Sequence, residues 1–213
     1  MGCLSRLAGT AITLSLAAGA YQYLQQHHVV PADPAFHSTL SHSGNDDQDG
    51  EHFSPSENLE RLEMDQLKAA AEHARAAKRP LDIAIYAFTD RILADLLVRQ
   101  AEQGTVMRIY RDGEQYENEE RNGARFRNQS TMAMFPGQRN IHVRVKAPSP
   151  SDLMHLKVWS DGKVLREGSA NWSPVALKRQ DNNLRFSRNA TEVKAFEADF
   201  EARWNRPSNT VVQ

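Results

Sequence analysis

The sequence predicts an α/β fold, a mixed β-sheet flanked by helices on both faces. Two observations carry this. Short β-rich runs alternate with helix-period segments from residue 56 to about 146, and two strand-like segments flank Asp161-Gly162 as a hairpin. The chain has 213 residues, 40% hydrophobic and 25% charged, the makeup of one ordinary domain plus an appendage. The net charge of -1 gives no bulk attraction to nucleic acid or an acidic membrane. A single cysteine, Cys3, excludes an intramolecular disulfide and a Cys-based zinc site.

The elements follow in order. Ser56 caps a helix from Glu57 to about Lys78, with Leu59, Leu62, Leu67, Ala70, Ala71 and Ala74 on one face and Pro80 as the stop. Leu81–Ala87 is a strand. Thr89 or Asp90 caps a second helix that runs through Gln103 to Gly104, and Thr105–Tyr110 is the next strand. The polar stretch 111–129 carries one short helix. Thr131–Phe135 makes a helical turn broken by Gly137, and Ile141–Lys146 alternates as a half-buried strand. Leu153–Ser160 and Lys163–Glu167 form the hairpin arms, Leu184–Ser187 a last strand, and Glu192–Trp204 a last helix.

Before this body lie an address and a tether. Residues 7–20 are uncharged and apolar or small, Arg6 precedes them, and Ala18-Gly19-Ala20 reads as a cleavage site, so residues 1–20 are a signal peptide or N-terminal anchor. Extended to Leu24, the segment nearly spans a bilayer core, which leaves a membrane tether through 7–24 open beside export to periplasm or medium. Residues 21–55, rich in Pro, Ser, Asp and His, form a disordered linker whose five histidines match no metal-site spacing. The expected domain is therefore 56–206, with a tail at 207–213 and no cofactor or metal. Without residues 1–55 the body has 25 bases and 22 acids.

The chemistry concentrates on the hairpin. On a strand, His155 and Lys157 project from one face, and Ser169 and Asn171 do so on the returning arm. Together they gather an imidazole, an ammonium, a hydroxyl and an amide. The ammonium and amide hold anionic oxygens, while the imidazole serves as nucleophile or acid near neutral pH. That set suits attack on a phosphodiester without metal, where positioning and charge stabilisation dominate.

The run H155-L-K157, D161, G168-S169-A-N171 resembles the hallmark of the phospholipase D superfamily, His-x-Lys, four residues, Asp, six residues, Gly-Ser-x-Asn. DIAIYAFTD (82–90), RIYRDGEQYENE (108–119), GSANWSPVALKRQDNNL (168–184) and AFEADFEARW (195–204) also look like its small members, which carry one motif per chain. The resemblance implies a phospholipase D-like sheet, with His155 attacking phosphorus to give a phosphohistidine while a second His protonates the leaving oxygen. Lys157 and Asn171 would hold non-bridging oxygens, Ser169 would support the phosphate, and Asp161 would orient the loop. Asp181 falls near an acidic position of the family, with Asn182 beside it. With one motif per chain, a homodimer would bring two His155 side chains to one shared site. His142-Val143-Arg144 reads instead as an ordinary alternating strand with a surface histidine.

One residue of the pattern is missing, since three rather than four separate Lys157 from Asp161. A two-residue turn would pair His155 with Gly168 and turn Asn171 away. A three-residue turn or a bulge would pair His155 with Ser169 and keep the site whole, and this is the expectation. The substrate stays open between nucleic acid and phospholipid. Six bases and no acid lie between Arg121 and Ser151, so Arg125, Arg127 and Trp172 are candidate substrate contacts, while Met132, Met134 and Phe135 read equally as an apolar approach or as core. A catalytically weak exported protein that binds phosphate or nucleic acid is the alternative.

Overall fold

The computed structural model describes residues 49–212, except 55 and 126–129. The signal or anchor segment, most of the linker and Arg127 lie outside the described residues. The elements are β1 (Gly50–Phe53), α1 (Leu59–Ala76), β2 (Leu81–Ile85), α2 (Arg91–Glu102), β3 (Met107–Arg111), α3 (Gly113–Arg125), β4 (Ile141–Val145), β5 (Lys157–Ser160), β6 (Leu165–Gly168), α4 (Pro174–Lys178), β7 (Asn183–Ser187), α5 (Ala190–Trp204) and β8 (Thr210–Val211), with a 3-10 turn at Met132–Met134. Among the described residues no helix is long and apolar enough to cross a membrane.

The strands form one mixed sheet in the order β1-β7-β6-β5-β2-β3-β4-β8. β2, β3 and β4 run parallel through the crossover helices α2 and α3, and β5 joins β2 antiparallel. Every residue of β2 is buried, as a central strand covered on both faces requires. On one face Ile83, Ile85, Ile109 and Trp159 pack with Leu67 and Ala71 of α1 and Leu93 and Leu97 of α2. On the other, Ala84, Tyr110 and Met154 pack with Phe200 and Trp204 of α5. The expected α/β class with helices on both faces is what the chain adopts.

Local chemistry sets the boundaries. Asn58, rather than Ser56, caps α1 by accepting from Arg61 N at 3.1 Å. Asp90 caps α2 by accepting from Ile92 N and Leu93 N. Two short edge strands depart from the sequence reading. Residues 50–53, assigned to the linker, pair with β7, and residues 210–211, assigned to the tail, pair with β4. Pro174–Lys178, between the motif and β7, folds as α4 with Ser173 as its cap.

The hairpin turn also departs from expectation. Ser160 pairs with Leu165, so four residues, Asp161 to Val164, make the loop in place of a three-residue turn. Asp161 explains the length. Its Oδ1 accepts from Lys163 N at 2.9 Å and Val164 N at 2.7 Å, and its Oδ2 lies 2.9 Å from His73 Nδ1 of α1. A buried carboxylate thus satisfies two turn amides and ties the loop to a helix. Asp161→Ala is expected to lose about 1–3 kcal/mol in urea denaturation, the cost of stranding buried donors, and Asp161→Asn to recover most of it because an amide oxygen still accepts both bonds.

Candidate active site

The two arms separate after only two paired positions, Trp159 with Arg166 and Ser160 with Leu165. What bridges them beyond that is a side chain. Arg166 donates from Nη1 to the Lys157 carbonyl at 2.6 Å and from Nη2 to the Ala170 carbonyl at 3.2 Å, holding the His-x-Lys segment against the Gly-Ser-x-Asn segment. Glu63 of α1 neutralises it, with Nε to Oε2 at 2.7 Å, and neither side chain is exposed at all. The other Glu63 oxygen accepts from Trp159 Nε1 at 2.8 Å and Trp172 Nε1 at 3.0 Å.

His155 and Lys157 meet at the end of β2. The ammonium lies 2.8 Å from His155 Nδ1 and donates to the His155 carbonyl at 2.8 Å. The His155 ring packs on Tyr86 with centroids 4.5 Å apart, and the ammonium stands 5.3 Å from the centre of the same tyrosine ring. One residue on, Ala87 N donates to Asn171 Oδ1 at 3.4 Å, which leaves the Asn171 amine as a donor. Tyr86–Ala87 is therefore the ledge on which His155, Lys157 and Asn171 are arranged.

The electrostatics favour a neutral imidazole. Burial and the Lys157 charge push the His155 pKa below its ordinary 6.5, and Asp112 opposes them. An ammonium only donates, so a ring nitrogen beside it must be the acceptor, which again requires neutral imidazole. Burial, aided by Arg166, brings Lys157 down to about 8. For bis(p-nitrophenyl) phosphate, whose leaving group departs without a proton, kcat/KM should rise through an apparent pKa below 6.5 as His155 loses its proton. It should fall through about 8 as Lys157 loses its charge. A pH series in constant ionic strength reads both limbs, and Lys157→Arg should remove the alkaline one.

A family profile described as "Cardiolipin synthase, PLD-like domain" matches residues 71–204, more than half the chain. The chain belongs to the phospholipase D-like family. Mitochondrial cardiolipin hydrolase of Drosophila melanogaster is 26% identical over a match covering 61% of this chain and 55% of that protein. The protein of the same name from Chlamydomonas reinhardtii is 23% identical, covering 65% of this chain and 57% of that one. The match thus spans a little over half the length of these curated relatives. Among solved structures, NucT from Helicobacter pylori superposes with a TM-score of 0.59 at 22% identity, covering 78% of this chain and 99% of that one. Nuc from Salmonella typhimurium, a phospholipase D family member, superposes with a TM-score of 0.57 at 18% identity, covering 78% and 98%. These structures share the fold.

Within this phospholipase D-like chain the remaining motif residues take distinct places. Gly168 has φ of +149°, and a Cβ there would lie 2.3 Å from the Asn183 carbonyl oxygen, so the motif glycine is needed for close approach to β7. Ser169 is exposed. Its hydroxyl donates to Asn182 Oδ1 at 2.9 Å and accepts from Asn183 N at 3.0 Å. Asp181 is exposed on the same loop, and Asn182 is the side chain that reaches Ser169. Asp161 sits at the far end of β5 from Lys157, about 13 Å along the strand at roughly 3.3 Å per residue, and belongs to the turn.

One substrate candidate is corrected, and the open reading of the apolar residues resolves to core. Trp172 is fully buried, its indole held by Glu63 and its ring 4.9 Å from that of Phe88, so it packs the core and offers no stacking face. The apolar approach through Met132 and Phe135 is likewise core. Arg125 closes α3 with its side chain outside the described atoms, and Arg127 falls in the segment left undescribed. His142 is exposed on β4, as an alternating strand gives. Among the described residues no group of three or more His, Cys, Asp or Glu gathers as metal ligands.

Several participants were not singled out from sequence. Tyr86 supplies the ledge. Asp112 accepts from Met154 N at 2.8 Å and from Gln115 N at 2.9 Å, fixing the segment that leads into His155 to the start of α3. Arg111, fully buried, donates to Glu119 at 2.6 Å and to the Ile85 and Tyr86 carbonyls, which holds the ledge from behind. Arg166 and Glu63 bridge the arms.

Proposed function

We propose that the chain is a metal-independent phosphodiesterase in which the neutral His155 attacks phosphorus. The observation that carries this is the pairing of the His155 imidazole with the Lys157 ammonium 2.8 Å from its Nδ1, beside an asparagine whose oxygen is engaged and whose amine is a donor. Attack by His155 forms an N–P bond and expels an alkoxide that takes a proton from a second histidine, the one of the pair that the bound phosphodiester's negative charge keeps protonated. Water, giving its proton back to that histidine, then cleaves the N–P bond and regenerates the free imidazole. Lys157 and the Asn171 amine stabilise the non-bridging oxygens as charge builds. Ser169, tied to Asn182, borders the phosphate position.

The second histidine is His155 of another copy, because the described chain carries a single His-x-Lys with a Gly-Ser-x-Asn partner. A twofold contact brings two such sets to one phosphate. Purified protein in excess EDTA should hydrolyse bis(p-nitrophenyl) phosphate and sediment as a dimer, and a monomer of full activity would overturn the shared site. Absence of hydrolysis with phosphate binding retained would favour the weakly catalytic binding protein. Export of the body, with cleavage near Ala20 or retention of 7–24 as a tether, is the expected placement, and N-terminal sequencing of secreted and membrane fractions reads it.

A further inference from the structure

Beside the ledge, and not used by this chemistry, is a cavity of about 480 Å³ whose lining includes Phe88, Arg91, Gln115, Asn118, Asn122 and Thr131. Its volume falls within the range of small-molecule sites, roughly 300–1,000 Å³. Two chain segments lead to it from the candidate site. Residues 86–89 and 171–174 run side by side, with Trp172 N donating to the Ala87 carbonyl at 3.0 Å and Thr89 N to the Trp172 carbonyl at 2.8 Å. Tyr86 packs on His155 at one end of this pair, and Phe88 and Pro174 line the cavity at the other. At roughly 3.3 Å per residue, the cavity begins within about 10 Å of the ledge, the reach of a group flanking a bound phosphodiester.

The lining has a specific chemistry. Gln115, Asn118 and Asn122 recur at i, i+3 and i+7, so one face of α3 turns carboxamides to the cavity where a packed helix would turn apolar side chains. Their orientations are set by neighbours. Gln115 Nε2 donates to Glu119 at 3.0 Å, which makes its oxygen the free end, and Arg121 donates to Asn118 Oδ1, which makes the Asn118 amine the free end. Glu119, the carboxylate in the lining, is neutralised by Arg111. The result is an acceptor and a donor on one face, with a guanidinium in the lining.

We infer that this cavity receives a nucleobase next to the scissile phosphate, so that the substrate is a single-stranded nucleic acid. The inference rests on the phosphodiesterase reading above and names its substrate class. A planar base edge presents paired donors and acceptors that carboxamides match, whereas an acyl chain needs an apolar lining. The test compares binding of a short oligothymidylate with an abasic strand of equal length and equal phosphate number. The full-length protein should bind the base-bearing strand at least tenfold more tightly, and Asn118→Ala with Asn122→Ala should bring the ratio to within twofold. Asn122→Ala alone, at an exposed position, serves if the double variant does not fold. Equal affinity for both strands in the unaltered protein, or a ratio the variants leave intact, overturns the inference. Cardiolipin vesicles bound in place of either strand, and released by the same variants, would assign the cavity to a lipid headgroup and overturn it too. Because binding needs no turnover, base discrimination without bis(p-nitrophenyl) phosphate hydrolysis would count against the phosphodiesterase reading alone.

Discussion

His155→Ala should abolish hydrolysis of bis(p-nitrophenyl) phosphate in EDTA, and Lys157→Ala should lower kcat by about 10²–10³-fold. The first loss is total because no other group among the motif residues can attack phosphorus in its place: Lys157 is cationic at neutral pH, and Ser169 has its hydroxyl committed between Asn182 and Asn183. The second is partial because it removes one charge-stabilising contact of at least two, a deletion that typically costs about 2.7–4 kcal/mol in the transition state. Lys157→Ala should also raise the acid limb of the pH profile toward the ordinary histidine value, since the ammonium that disfavours imidazolium is gone. A merely structural lysine would leave that limb in place. Mixing the His155→Ala protein with unaltered subunits under exchange should poison activity more than in proportion if the two histidines act on one phosphate. Activity of His155→Ala at the original rate would remove this residue from the mechanism.

The motif residues were legible in sequence through their spacing, but the strand period invoked for them does not hold: His155 precedes β5, Ser169 and Asn171 follow β6, and Ser169 turns to Asn182 while Asn171 meets Ala87. What surrounds them was not legible. Asp161-Gly162 carries the composition of a two-residue turn, yet regular pairing ends at Ser160 with Leu165; beyond it Asp161 N–H still reaches the Val164 carbonyl at 3.4 Å, while the Asp161 side chain takes the Lys163 and Val164 amides. No local pattern announces that. Trp172 beside a phosphate motif suggested a stacking surface, but its indole N–H finds Glu63, 109 residues away, and that partner decides burial. Tyr86, Arg111 and Asp112 sit in strand ends whose composition says only "strand"; their roles arise from the register of β2 with β3 and β5. Edge strands β1 and β8 are four and two residues long, too short for a periodic signal, and exist because β7 and β4 offer unpaired edges.

The second large effect concerns stability. Glu63 takes four hydrogen-bond or ionic contacts with no solvent access: the Arg166 Nε and Nη2 atoms on one oxygen and the Trp159 and Trp172 indoles on the other. Removing one partner of such a pair strands a buried charge, at a typical cost of about 3–5 kcal/mol, so Glu63→Ala is expected to unfold the domain or to lower its urea midpoint severely. Arg166→Met should be milder in stability, because the carboxyl of Glu63 can take up a proton and keep the two indole bonds. It should be as severe in activity, because the Lys157 and Ala170 carbonyls lose the guanidinium that holds the arms together. The two variants therefore separate folding from alignment. For Arg166→Met, a cooperative melt with kcat reduced and the pH limbs of His155 and Lys157 displaced is the expected pattern. A folded Arg166→Met protein with an unaltered pH profile would mean that the backbone alone positions the His-x-Lys segment, and that the guanidinium serves packing.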